Sequence, residues 1–153
     1  MNPELEEVRR RLLSPAPICL IWFGLVAGFD FIAAPAPFSV AGLEREFALV
    51  INRAGFETLN RTEWALSALT LILALWTRPR RMAWIALVLV WAAVLLQSLW
   101  LLPELSTRTD AILTGETLPP TAAHGLYGAL DVMKLLALLT AGLVGVRWVI
   151  RPD

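Results

Sequence analysis

The sequence predicts an all-α integral membrane protein: a four-helix bundle with an extra interfacial amphipathic helix between spans one and two, forming a single transmembrane domain over residues 1–153. Composition is the first reason. The chain is 58% hydrophobic, holds seven tryptophans and has a mean hydropathy of +0.65, too apolar for a soluble domain of this size. The second is distribution, because the apolar residues gather into four runs, near 18–36, 56–76, 83–102 and 123–146. At about 1.5 Å of rise per residue, runs of that length cross a hydrocarbon core about 30 Å thick. Charged residues make up 17% of the chain, and most of them stand between the runs.

The elements follow in order. Residues 1–14 form a short charged amphipathic segment, and Pro15 and Pro17 mark entry into the first span, 18–36, which Pro35 and Pro37 close. Acidic Glu4, Glu6 and Glu7 precede the arginines, and no small-residue cleavage site ends the apolar run, so span one is expected to be retained. In the segment 43–54, Leu43, Phe47, Val50 and Ala54 recur at helical spacing among Glu44, Arg45, Glu46, Asn52 and Arg53. That segment is too polar to span and reads as a helix lying on the outer surface. The second span, 56–76, has Trp64 and Trp76 toward its two ends, and Arg78-Pro79-Arg80-Arg81 turns the chain tightly into the third, 83–102, which Pro103 is expected to end. A polar loop, 104–122, leads to the fourth span at 123–146.

Orientation comes from the arginines. Arg9, Arg10 and Arg11 precede span one, Arg78, Arg80 and Arg81 separate spans two and three, and Arg147 and Arg151 follow span four. The other two loops balance their arginines with acidic residues. The positive-inside rule then puts both termini and the 78–81 turn in the cytoplasm of a bacterial inner membrane protein.

Spans two and four, both running inward, carry polar residues at the same spacing: Asn60, Glu63, Ser67 and Thr70 on one, His124, Tyr127, Asp131 and Lys134 on the other. At about 100° per residue each set occupies an arc of roughly 80°. Ionisable groups in a bilayer are costly and face protein or a water-filled cavity, so these stripes are the candidate site. Asp30 in span one and Gln97 in span three add to it. The expected ligand-binding or proton-pathway set is thus Asp30, Asn60, Glu63, Gln97, His124, Tyr127, Asp131 and Lys134, open toward the outer face. Beside it stands the plainer reading of a satisfied polar core that joins helices and handles no ligand: Asp131 and Lys134 neutralise each other a turn apart, and His124 caps the fourth helix. Further along the fourth stripe, Leu138, Gly142 and Gly145 predict close helix packing. The shared spacing hints at a duplicated hairpin, but the remaining residues do not align.

His124, Glu63 and Asp131 are the weak metal candidates, lacking a histidine pair or cysteine cluster. Copper(I) is disfavoured because Met1, Met82, Met133 and Cys19 form no thioether or thiol ladder, and haem because His124 is the one histidine. Cys19 reads as a packed thiol, and Gly24 with Gly28 as a small-residue pair packing inside the bundle, with homodimerisation as the alternative. No nucleotide loop, nucleophile motif or hydrolase signature is present, so an enzyme is not expected; one acting on a lipid or quinone ranks third among the readings.

Four segments carry a family resemblance: Phe29-Asp30-Phe31-Ile32-Ala33-Ala34-Pro35, Leu59-Asn60-Arg61-Thr62-Glu63, Leu101-Leu102-Pro103-Glu104-Leu105, and Pro119-Pro120-Thr121-Ala122-Ala123-His124-Gly125-Leu126-Tyr127. In this order they resemble small bacterial four-span membrane proteins of unknown function, distantly similar to the membrane domain of copper-resistance protein D. The resemblance implies a four-helix membrane bundle with a polar site near the outer ends of spans two and four, and raises the expectation of metal or small-molecule traffic. Copper itself is not carried over, because the methionine and histidine clusters are missing. The expected function is binding or conduction of a proton, cation or small polar ligand through the outer-facing pocket, with Glu63 and Asp131 as principal carboxylates, His124 as gate or ligand and Lys134 as electrostatic partner. The alternative is an accessory or assembly subunit of a larger membrane complex. Expected partners are the lipid bilayer and either further copies of the chain or such a complex; nucleic acid is not among them.

Overall fold

The computed structural model describes residues 13–150, with side chains through residue 147. The amphipathic segment expected at the start of the chain, its arginines, and Arg151 lie outside the described residues. Among the described residues there are five α-helices: α1 (Ala16–Gly28), α2 (Arg45–Thr77), α3 (Arg81–Leu96), α4 (Leu102–Leu113) and α5 (Ala123–Ile150). No strand occurs among the described residues.

Two expected boundaries move. The segment 43–54 is no separate helix, because α2 runs unbroken from Arg45 to Thr77. Gly55 stands between the two expected segments, inside this helix. Its lack of a side chain serves packing, since a Cβ there would lie 2.8 Å from Cζ of Phe29. The second correction is at Pro103, which does not end the third helix. A π-helical turn, Gln97–Leu101, joins α3 to α4, so the helical run continues through Leu113 and claims half of the expected 104–122 loop. Gly115, at φ +75°, then closes α4.

The proline explains the π-turn. A proline in a helix clashes with the carbonyl four residues back and cannot donate to it. Widening the preceding turn by one residue relieves both problems: the Leu102 amide bonds the Gln97 carbonyl five residues back, immediately before Pro103. The same device follows α1, where the Ala34 amide bonds the Phe29 carbonyl at 2.8 Å just before Pro35, making Phe29–Ala33 a second π-turn. A short 3-10 turn, Ala36–Ser39, completes that connection. The 78–81 turn is as tight as expected, with Arg78 in the left-handed conformation at φ 49° and its amide on the Ala74 carbonyl.

α5 packs antiparallel between α1 and α3, while α2 lies across α1 and α3 and reaches α4. Two ends can be named: the arginine end, at the 78–81 turn, and the loop end, at residues 40–44 and 114–122. Among the described residues three helical stretches are long and apolar enough to cross a membrane, Ala16–Ser39, Arg81–Leu113 and Ala123–Arg147. The chain is therefore a multi-pass membrane protein in contact with lipid.

At the arginine end α1 and α5 touch through small residues. A Cβ at Gly145 would fall 2.5 Å from Cβ of Ala16, and one at Gly142 would fall 2.5 Å from Cδ2 of Leu20. Gly24 and Gly28 do not share this role, for a Cβ at either meets nothing within 4 Å. Gly145→Ala is expected to lower stability by about 1–3 kcal/mol, because the short Ala16 side chain cannot swing aside. Gly24→Ala should change little. Thermal unfolding of both variants in detergent checks the contrast, and equal midpoints would contradict the packing described.

Candidate functional site

A lysine ammonium has three N–H donors and no acceptor, so its burial demands three acceptors. Lys134 on α5 is fully buried and has them: Oε1 of Glu63 on α2 at 2.7 Å, Oδ1 of Asp131 one turn earlier at 2.8 Å, and Oε1 of Gln97 in the π-turn after α3 at 2.8 Å. The acceptors are held in turn. Nε2 of Gln97 donates to Oδ1 of Asp131 at 2.8 Å and to the Tyr127 carbonyl at 3.4 Å. The indole Nε1–H of Trp22 on α1 donates to Oε1 of Glu63 at 3.0 Å. One network thus takes a side chain from each of α1, α2 and the π-turn after α3, and two from α5.

Glu63, Asp131 and Lys134 therefore come together as their spacing predicts, and Gln97 joins them. Asn60 does not. It turns to the π-turn after α3, where its Nδ2 donates to Oγ of Ser98 at 2.6 Å, beside the Trp64 indole at 3.0 Å from the same oxygen. Thr70 donates to the backbone carbonyls of Leu66 and Ser67 and accepts from Trp91 Nε1 at 3.3 Å. Two buried oxygens on the α2 stripe, Oε2 of Glu63 and Oγ of Ser67, have no hydrogen-bond partner. Sequence reasoning missed Trp22; the signal was that a buried indole N–H needs an acceptor.

Toward the loop end the network meets a cleft of about 510 Å³ between the end of α1 and the start of α5. Asp30, His124, Tyr127 and Asp131 all line it. Asp30 sits in the π-turn after α1, within electrostatic range of Asp131, Lys134 and Glu63, and its buried Oδ2 has no hydrogen-bond partner. The aromatic wall is built by edge-on contacts, Phe29 on Phe56 at 4.9 Å and Phe56 on Tyr127 at 5.3 Å between ring centroids. Phe31, Phe38, Val132 and Leu135 complete an apolar lining. His124 is exposed at the cleft's outer rim and also lines a second cleft of about 470 Å³ between α2 and α4. Among the described residues no group of three or more His, Cys, Asp or Glu side chains could hold a metal ion, so His124, Glu63 and Asp131 do not assemble into a ligand set.

The arrangement makes the Lys134 charge a shared structural element. Lys134→Met should cost about 3–5 kcal/mol, since it leaves two buried carboxylates without their cation. Adding Glu63→Gln should recover part of that loss, with a coupling of about 0.5–3 kcal/mol. A double-mutant cycle by chemical or thermal unfolding reads this directly, and strictly additive losses would contradict the shared network.

Comparison with known proteins gives one family and no function. No curated protein and no solved structure matches the chain. A family model described as a domain of unknown function, DUF4149, matches residues 19–112, which run from α1 through α4 and include Trp22, Asp30, Glu63 and Gln97. That match spans more than half of the sequence, and the chain belongs to the DUF4149 family.

Proposed function

We propose that this is a four-span protein of the bacterial inner membrane that binds a cation or small polar ligand in the Asp30–Asp131 cleft, on the outer side. The observation that carries the proposal is the pairing of two carboxylates in one cleft, one of them with a buried oxygen that lacks a partner. Three acidic groups, Asp30, Glu63 and Asp131, lie within range of one ammonium, Lys134. Fully ionised, that set has an excess of negative charge, which a bound cation or a proton offsets. Binding is favoured over conduction, because toward the arginine end the polar stripe gives way to fully buried Leu138 and the Gly142 and Gly145 contacts.

Crossing by α2 is part of the proposal. Its polar face is buried against the bundle, whereas Leu69, Leu71, Ile72, Leu75 and Trp76 on its outer surface are exposed and apolar. A helix of 33 residues is about 50 Å long and exceeds a core of about 30 Å, so one end must protrude. The charged start near Arg45 and Arg53, joined to α4 by the Arg53–Asp110 ion pair, suits the outer interface. The arginines of the 78–81 turn and Arg147 suit the cytoplasm. The distant resemblance to the membrane domain of copper-resistance protein D accords with traffic of a small charged species, and copper(I) is disfavoured because Met82, Met133 and Cys19 form no thioether or thiol ladder.

Reporter fusions at Arg80 and Asp153 should both report inside; an outside signal at either defeats the topology. For the site, tetraethylammonium chloride should raise the unfolding midpoint of the detergent-solubilised protein above that in sodium chloride of equal ionic strength. Asp30→Asn should abolish the difference, because Asp30 stands outside the Lys134 hydrogen bonds and its loss leaves the bundle intact. If neither tetraethylammonium, sodium, potassium nor magnesium alters the wild-type midpoint, cation binding is excluded.

A further inference from the structure

We infer that the preferred occupant of the cleft is a lipophilic organic cation that enters sideways from the bilayer, rather than a hydrated inorganic ion from water. This rests on the cation-binding reading above and names its ligand class. Three features of the cleft support it.

The first is chemistry. A metal ion stripped of its water needs several ligands converging at short range, and among the described residues no group of three or more His, Cys, Asp or Glu side chains provides them. The cleft instead sets its two carboxylates at the deep side of a mostly apolar and aromatic chamber, with Phe31, Phe38, Phe56 and Tyr127 in the lining. Carboxylates with aromatic faces nearby suit a diffuse organic cation, which gains from ring contacts and sheds little hydration. Among the described residues no arginine or lysine lines this cleft, and Lys134 stands behind it, paired with Asp131.

Access is the second. The mouth is framed by side chains on the outside of the bundle, Phe31 at 69% exposure, Val132 at 54% and Phe38 at 50%, which in a membrane protein are lipid-facing. A ligand from the hydrocarbon meets an apolar rim before it meets Asp30. The third is room. At about 510 Å³ the cleft lies within the usual range for small organic ligands, roughly 300–1,000 Å³. Gly128 contributes to that space: it lines the cleft, and a Cβ there meets nothing within 4 Å.

Equilibrium binding to the full chain in a nonionic detergent tests this, with radiolabelled tetraphenylphosphonium as probe. Tetraethylammonium serves as the hydrophilic cation, and tetraphenylborate as the anion of matched shape. Tetraphenylphosphonium should bind at least tenfold tighter than either. Asp30→Asn should weaken it at least tenfold, and Gly128→Leu, which fills the chamber without altering charge, should do the same. Monodisperse elution of both variants controls for folding.

If tetraethylammonium binds as tightly as tetraphenylphosphonium and Asp30→Asn abolishes both, the lipophilic class is overturned while the cation-binding reading stands. If tetraphenylborate binds equally well, or if Asp30→Asn leaves tetraphenylphosphonium binding unchanged, uptake is hydrophobic partition and the inference is overturned. If the wild type binds neither cation, the inference is overturned, and the cation-binding reading falls with it only when sodium, potassium and magnesium also leave the unfolding midpoint unchanged.

Discussion

The Lys134 ammonium fixes the arrangement of everything else. Its three donors meet three acceptors on three helices, and the Trp22 indole ties in the fourth through Glu63. Inside a lipid-embedded bundle a buried ammonium that loses one acceptor has no water to replace it, so each helix must hold one rotation and one depth for the set to close. Hydrophobic burial cannot supply that discipline here, since lipid tails are as apolar as the helix surfaces they touch. Below the network the bundle is set by shape, with Gly142 and Gly145 admitting α1 against α5. Above it the helices part, and the cleft lies in the gap.

The cleft is a consequence of that layout and of two prolines. Pro35 and Pro103 each force a π-turn just before them, and those turns contain Asp30 and Gln97. Wide turns of this kind re-aim side chains that a regular helix would send elsewhere, and they recur at functional sites. Gln97 is thereby brought between Asp131 and Lys134, and Asp30 is brought to the cleft. Asp131 belongs to both places: one oxygen anchors the network, and its side chain also lines the cleft. A ligand held there sits one residue away from the group that orders the bundle, which couples occupancy to stability.

Much of this was legible in the residues. The stripe of Tyr127, Asp131 and Lys134 with Glu63 opposite followed from helical periodicity and the cost of charge in lipid, and the tight turn followed from Arg78-Pro79. Other parts were not. Prolines 35 and 103 read as stops because the propensity rule is local, whereas a π-turn lets the run continue past Pro103 into α4. Helix α4 was hidden by its threonines, whose hydroxyls bond backward to carbonyls within the helix, as Thr107 does to Pro103 and Thr109 to Leu105. Asn60 shares the angular position of His124 but turns to Ser98, since periodicity gives the face of a helix and not the partner across it. Gly24 and Gly28 face open space for the same reason.

Lys134 is the one lysine in the sequence, which gives the central claim a clean probe. Selective labelling of lysine with 15N produces a single side-chain ammonium signal. A charge saturated by Glu63, Asp131 and Gln97 in a dry core should give an Nζ resonance visible at neutral pH, with slow proton exchange against water, and Glu63→Gln should shift it. An Nζ signal broadened away by fast exchange in the folded wild type, or one indifferent to Glu63→Gln, would contradict the network on which this account of the fold and the cleft rests.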